Sequence, residues 1–179
     1  MKKQIRQEVE SILPLDDLEQ RTKQDVLDWI DSGAELCRIK KPATPNKHLV
    51  SYFVVVDGDH LLLVDHINAQ LWLPTGGHVE PGEHPRAAAL READEELALK
   101  SKFLLDGPIL ITSTMTVGKT AGHTDVSLWY VLEGKRGKDI LHDSSEFNEA
   151  RWFQKDSIPL QKTDPNMERF IAKLYVVAT

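Results

Sequence analysis

Apolar positions in this chain change their spacing partway along. Over residues 1 to 36 they recur at helical intervals, with Val26, Leu27, Trp29, Ile30 and Leu36 forming a stripe from about Gln20 onward. Pro14 divides that stretch into two predicted helices, and Gly33 is a weak point near its end. From His48 the apolar residues gather into strand-sized runs, Leu49 to Val56 and His60 to His66, separated by the hairpin signal Asp57-Gly58-Asp59. Leu71-Trp72-Leu73 leads into Thr75-Gly76-Gly77, where two glycines suit a sharply turning backbone. Pro85 fits the first turn of a helix running through the nineties. Ile109 to Thr116 and His123 to Leu132 read as longer strands joined around Gly118 to Gly122, and Ala150 to Phe153 as a short one. Met167 to Val176 closes the pattern as a helix with Phe170, Ile171 and Leu174 inward. Helices, strands, helix, strands and helix in that order predict an α/β layer structure with a mixed β-sheet.

Lys41 to Lys47 (KPATPNK) carries two prolines and divides a helical extension with its linker, residues 1–47, from the predicted domain at 48–179. The expectation for the extension is packing on the domain, with a dimer contact or a role in substrate access as alternatives. Arg38, Lys40 and Lys41 form a small basic cluster expected to close the preceding helix. The net charge of −6 argues against a nucleic-acid polymer as partner, although a metal ion would let an acidic protein hold a polyphosphate. No apolar run is long enough to cross a bilayer, and the N-terminus lacks a charged-then-apolar leader. The single Cys37, expected as an inert helix residue, suits a reducing cytoplasm.

Chemistry concentrates at residues 77 to 99, GHVEPGEHPRAAALREADEELAL. On a helix advancing about 100° per residue, Glu92, Glu95 and Glu96 share roughly a third of the circumference. Leu90, Ala93 and Leu97 share a different arc at core spacing. Three carboxylates this close favour hard divalent cations bound through oxygen, Mg2+ first and Mn2+ as a substitute. Such ions neutralise a diphosphate so that water can attack it, which points to a metal-dependent phosphoanhydride hydrolase.

The same stretch resembles the signature of the Nudix hydrolases, G-x5-E-x7-R-E-U-x-E-E-x-G-U, through Gly77, Glu83, Arg91, Glu92, Glu95, Glu96 and Leu99. Ala93 is a small version of the first bulky aliphatic, and Ala98 replaces the final glycine. The departure at Ala98 leaves two outcomes: a left-handed residue strained by about 1 kcal/mol, or a helix running on through Leu99.

The resemblance implies an α/β/α sandwich over about residues 48 to 175. It implies Glu95, Glu96 and the Gly77 carbonyl as metal ligands, with Glu92 a further ligand or the base that deprotonates water. It also implies a Glu83–Arg91 pair that holds the loop against the helix. Glu146, six residues before Trp152, stands where MutT-like members carry a loop glutamate that completes the metal site or acts as base, and Glu149 is its competitor. His123 and Asp125 occupy a strand that lines the substrate cleft in the family, which makes His123 a substrate-binding candidate. His78 and His84 match no zinc spacing and are expected to contact substrate or lie exposed. Trp72, Trp129, Tyr130, Trp152 and Phe53 are expected to pack in the core.

The implied activity is Mg-dependent hydrolysis of a nucleoside diphosphate linked to another moiety. Nucleoside triphosphates lead among the small nucleotide-type substrates, followed by ADP-ribose and nucleotide sugars. The proline of many ADP-ribose pyrophosphatases is absent (Thr114 holds its place), as is the SQPWPFPxS run associated with NADH hydrolysis. A Nudix-fold binding module without turnover is the alternative of another class. Isoprenoid diphosphate isomerase, a third, would need a site cysteine.

Overall fold

The computed structural model describes residues 1–40, 44–116, 122–137 and 140–177. Two helices come first, α1 (Lys2–Ser11) and α2 (Asp17–Asp31). Asp16 caps α2 by accepting a 2.8 Å hydrogen bond from the Glu19 amide, satisfying one of the donors a helix start leaves open. The expected helix over residues 1 to 36 therefore ends early. Gly33 adopts a left-handed φ of 79°, and Leu36 and Cys37 are buried in the loop beyond it. Cys37 is thus not a helix residue, and Arg38 and Lys40 lie too far along to close α2. Lys41 to Ala43, within the expected linker, and the Gly118 to Ala121 part of the expected connection lie outside the described residues.

Seven strands form one mixed sheet: β1 (Lys47–Asp57), β2 (His60–His66), β3 (Leu71–Leu73), β4 (Thr75–His78), β5 (Leu110–Met115), β6 (Thr124–Glu133) and β7 (Phe147–Gln154). The main path runs β3-β2-β1-β6-β5, with β4 on β1 and β7 on β2. Between named strands of the described residues only the β1–β6 pairing is parallel, and it extends from Lys47↔Thr124 to Val56↔Glu133. Strand β1 is central and buried on both faces, which explains its near-continuous apolar run. Strand β7 is longer than its apolar core suggests, because it pairs along the whole of β2.

Helix α3 (Pro85–Leu97) packs with α1 and α2 on one face of the sheet, and α4 (Met167–Val177) covers the other. This is the expected α/β/α sandwich with a mixed sheet, preceded by helices. On the α3 side the core joins Ile5, Val9, Val26 and Ile30 to Phe53, Leu128 and Tyr130. On the α4 side it joins Val54, Leu61, Trp129, Phe170 and Leu174, with Ile171 partly buried. Trp72 and Trp152 are likewise partly buried against these cores.

Polar contacts tie the leading helices down as well. Glu19, fully buried, forms an ion pair with Lys173 of α4 and accepts from the amides of Leu15 and Ile111. Glu8 of α1 accepts a 2.9 Å hydrogen bond from the Tyr130 hydroxyl of β6. Among the described residues no helix is long and apolar enough to cross a membrane.

Candidate active site

Small residues let α3 approach the sheet. Ala88, Ala89 and Ala93 are fully buried, and Ser51 Oγ of β1 donates a 2.7 Å hydrogen bond to the Pro85 carbonyl at the helix start. His84 forms the N-cap and accepts from the Arg86 amide at 3.3 Å. At the far end Ala98 is left-handed (φ 48°, ψ 34°), and the Ala98 and Leu99 amides both turn back to the Ala93 carbonyl. Of the two outcomes open at this position, the helix takes the strained ending, and the non-glycine residue carries the conformational penalty.

The Gly76-Gly77 pair is not a sharp turn but part of β4, paired with Tyr52 and Ser51 of β1. Glycine is required there by proximity. A Cβ on Gly76 would lie 2.1 Å from the Ser51 carbonyl oxygen, and one on Gly77 would lie 2.0 Å from Glu92 Oε1. The strand and the helix carboxylates therefore pack directly against each other.

A cleft of about 540 Å3 opens at this contact. Gly76, Gly77, Glu92, Glu96 and Glu146 line it, and Arg38 and Lys40 line it as well. Glu96 Oε2 accepts from the Gly76 amide at 3.3 Å. Burial, followed by the charges of Glu92 and Glu146, pushes the Glu96 carboxyl up to about 8. Burial also raises Glu92, against the opposing pull of Arg91. Crowded carboxylates that resist ionisation by themselves are what a bound cation relieves, and the donors are hard oxygens. The residues present therefore fit a hard divalent ion, which Glu92, Glu96 and Glu146 would hold beside Gly77.

Arg91 organises the rim. It grips Glu83 with two hydrogen bonds, Nε to Oε1 at 2.9 Å and Nη2 to Oε2 at 3.0 Å. Its other contacts are Glu92 Oε1 at 2.8 Å, Glu95 Oε2 at 3.2 Å and the His78 carbonyl at 3.2 Å. Burial pushes Glu83 up, but Arg91 and the Glu80 amide outweigh it and hold the carboxyl below its ordinary value. One guanidinium thus fastens the loop, the β4 strand and the helix together.

The other sequence candidates separate on the structure. Glu95 has a 60% exposed side chain and turns to Arg91 on the outer side of α3, outside the cleft wall. Glu146, on the turn before β7, faces the cleft, whereas Glu149 pairs with Arg151 on β7. His123 is 8% exposed and buried against His48 and Asp125, so its placement lends no support to substrate contact. His78 lines the cleft and also belongs to that histidine group.

Arg38 and Lys40 were missed as site residues because nothing in their spacing sets them apart from a helix terminus. A short backbone pairing between Lys40 and Thr44 brings them back along the cleft. Asp143 was also missed; its amide bonds the Glu96 carbonyl at 2.9 Å, and its charge helps raise the Glu96 carboxyl.

Comparison with known proteins agrees with this architecture. A Nudix family hydrolase from Clostridium perfringens superposes with a TM-score of 0.57 at 23% identity, over 73% of this chain and 97% of that one. A MutT Nudix hydrolase from Burkholderia pseudomallei gives 0.56 at 19% identity, over 70% and 96%. A UDP-X diphosphatase gives 0.57 at 13% identity and covers 99% of this chain and 93% of its own, so its fold matches the leading helices too. No curated protein matches the sequence. The NUDIX domain profile, however, matches residues 47–174, from the start of β1 into α4. The chain therefore belongs to the Nudix hydrolases, pyrophosphohydrolase enzymes whose signature helix here is α3.

Proposed function

We propose that the cleft hydrolyses a phosphoanhydride bond in a nucleoside diphosphate linked to another moiety, with a nucleoside triphosphate as the leading substrate. The observation that carries this is the cleft itself: Glu92, Glu96 and Glu146 line it together, and Arg38 and Lys40 line it as well. Glu92, Glu96 and Glu146 would hold Mg2+, with Mn2+ as substitute, and Gly77 would offer its carbonyl; a bound ion would supply charge neutralisation of the diphosphate and activation of water. Arg38 and Lys40 supply counter-charge to the part of the phosphate chain that extends past the acids. Deprotonation of the attacking water falls to Glu92 or Glu146. Glu95, held on Arg91 outside the cleft, would have to leave that contact to join the ligands.

A second reading rests on a separate observation. The UDP-X diphosphatase fold covers 99% of this chain, leading helices included, and the loop that follows those helices carries Arg38 and Lys40 into the cleft lining. That arrangement favours a nucleotide-sugar type of substrate. The deciding experiment is product release from a panel of triphosphates, ADP-ribose, nucleotide sugars and dinucleoside polyphosphates with Mg2+. Turnover of one class by the intact protein, absent in Glu96→Gln, supports the hydrolase and identifies its substrate class. Metal-dependent nucleotide binding without any turnover would leave a binding module instead. The pH dependence of kcat in Glu92→Gln and Glu146→Gln separates the two candidate bases.

A further inference from the structure

Beside the catalytic cleft, on the face of the sheet away from α3, three histidines and an aspartate carried by β1, β4 and the lead into β6 meet. Sheet register brings them together. His48 of β1 lies directly opposite Asp125 of β6, and His123, one residue ahead of β6, brings its Nε2 to 3.3 Å from Asp125 Oδ1. His78 of β4 pairs with Val50, two positions along from His48. One nitrogen or oxygen from each of the four lies within 4.8 Å of all the others. His48 is fully buried and His123 nearly so.

The outer nitrogens of two of the rings are already engaged. His48 Nδ1 is 2.9 Å from the Pro45 carbonyl oxygen, which can only accept, so this nitrogen carries the proton. His123 Nδ1 is 3.1 Å from Thr116 Oγ1, whose own hydroxyl donates to the His123 carbonyl. With that proton on the carbonyl, the Thr116 oxygen is free to accept from His123 Nδ1. In the neutral rings both Nε2 atoms then present lone pairs toward the interior. Each faces Asp125 Oδ1, at 3.2 Å from His48 and 3.3 Å from His123. Neither His48 Nε2 nor Asp125 Oδ1 has an aligned hydrogen-bond partner.

Lone pairs facing one another at this range repel unless a positive charge lies among them. A shared proton would align donor with acceptor, whereas a metal ion gathers ligands around a centre without aligning them on each other. With metal–ligand bonds of about 2.0 to 2.1 Å, the edge of a tetrahedron is about 3.3 Å. The two distances to Asp125 match that edge. We propose that His48, His78, His123 and Asp125 bind a divalent transition-metal ion of the Zn2+ class, separate from the carboxylate site. Imidazole-rich donors select such an ion over Mg2+, and the backbone carbonyl and threonine hydroxyl orient the rings as outer partners of metal-bound histidine do. Four protein ligands close the coordination shell, so the ion is structural. It ties β1 to β4 and β6, and holds the Gly76–His78 strand on which Glu92 and Glu96 rest.

The test is Zn2+ and Co2+ titration of the chelator-treated, full-length protein in excess Mg2+, read by calorimetry and by the visible bands of four-coordinate Co2+. The expected result is one tightly bound equivalent, weakened at least about a hundredfold in His123→Asn and in Asp125→Asn and retained in Glu96→Gln. X-ray absorption at the zinc edge of the wild-type protein should show imidazole-dominated coordination, and this decides the matter if a variant fails to fold. Absence of stoichiometric Zn2+ binding would overturn the proposal. So would binding that survives His123→Asn and is lost in Glu96→Gln, which would put the ion among the carboxylates.

Discussion

Proton release on metal binding is the most direct consequence of the crowded carboxylates. Burial together with the charges of Glu92 and Glu146 pushes Glu96 up to about 8, from an ordinary value of 4.5. At pH 7 about nine-tenths of the ion-free protein therefore carries this carboxyl protonated, and a metal ion must displace that proton to use it. Apparent Mg2+ affinity should rise about ninefold from pH 6 to pH 7, a further fivefold or so to pH 8, and then level off. The sign for stability follows from the same shift. The folded-state value lies above the unfolded one, so this group's contribution is fully present below about pH 4.5 and is lost as pH rises through about 8. Above that, the ionised carboxylate opposes folding of the ion-free protein by up to about 5 kcal/mol, and bound Mg2+ offsets it. Calorimetry in buffers of different ionisation enthalpy reads the proton directly, about 0.9 released per ion bound at pH 7. In Glu96→Gln this group's share of the release should vanish, and the ion-free melting temperature should no longer fall between pH 6 and pH 9 on its account. Mg2+ affinity independent of pH, with no proton released at pH 7, would refute the reasoning.

Three further outcomes follow from particular contacts. Ala98→Gly should raise stability by about 0.5 to 1 kcal/mol in thermal or urea unfolding, because glycine relieves the left-handed backbone at the end of α3; a loss of stability would mean that the conformation is not strained. Lys173→Met should cost about 3 kcal/mol by leaving the Glu19 charge buried without its partner, and adding Glu19→Leu should cost less than the sum of the single changes. Additive losses in that cycle would show that the pair is not coupled. Gly77→Ala should lower kcat at least about a hundredfold with the far-ultraviolet spectrum unchanged, since its Cβ would displace the Glu92 carboxylate; near-normal turnover would remove Glu92 from the metal site.

Local chemistry made much of this protein legible in one dimension. The spacing of Glu92, Glu95 and Glu96 against Leu90, Ala93 and Leu97 gave the helix and its two faces, and the motif from Gly77 to Leu99 carried the resemblance to the family. The Glu83–Arg91 pair implied by the motif is present as a doubly bonded grip. Strand β2 matches its apolar run residue for residue, because a buried strand bounded by turns has nowhere else to end. Helix α2, in contrast, ended before its apolar stripe did, since Leu36 can be buried from a loop as well as from a helix.

What depended on strand register or chain reversal could not be read from spacing. His48, His78 and His123 are far apart in sequence, and only the parallel pairing of β1 with β6 and the antiparallel pairing of β1 with β4 make them neighbours. Arg38 and Lys40 joined the cleft through a loop that returns along it, and Glu19 met Lys173 across most of the chain's length. The sequence by itself determined most of the elements and the signature helix, because periodicity and motif act over a few turns of chain. The tertiary structure alone decided which distant polar groups share a buried space, because that follows from how strands align and layers close.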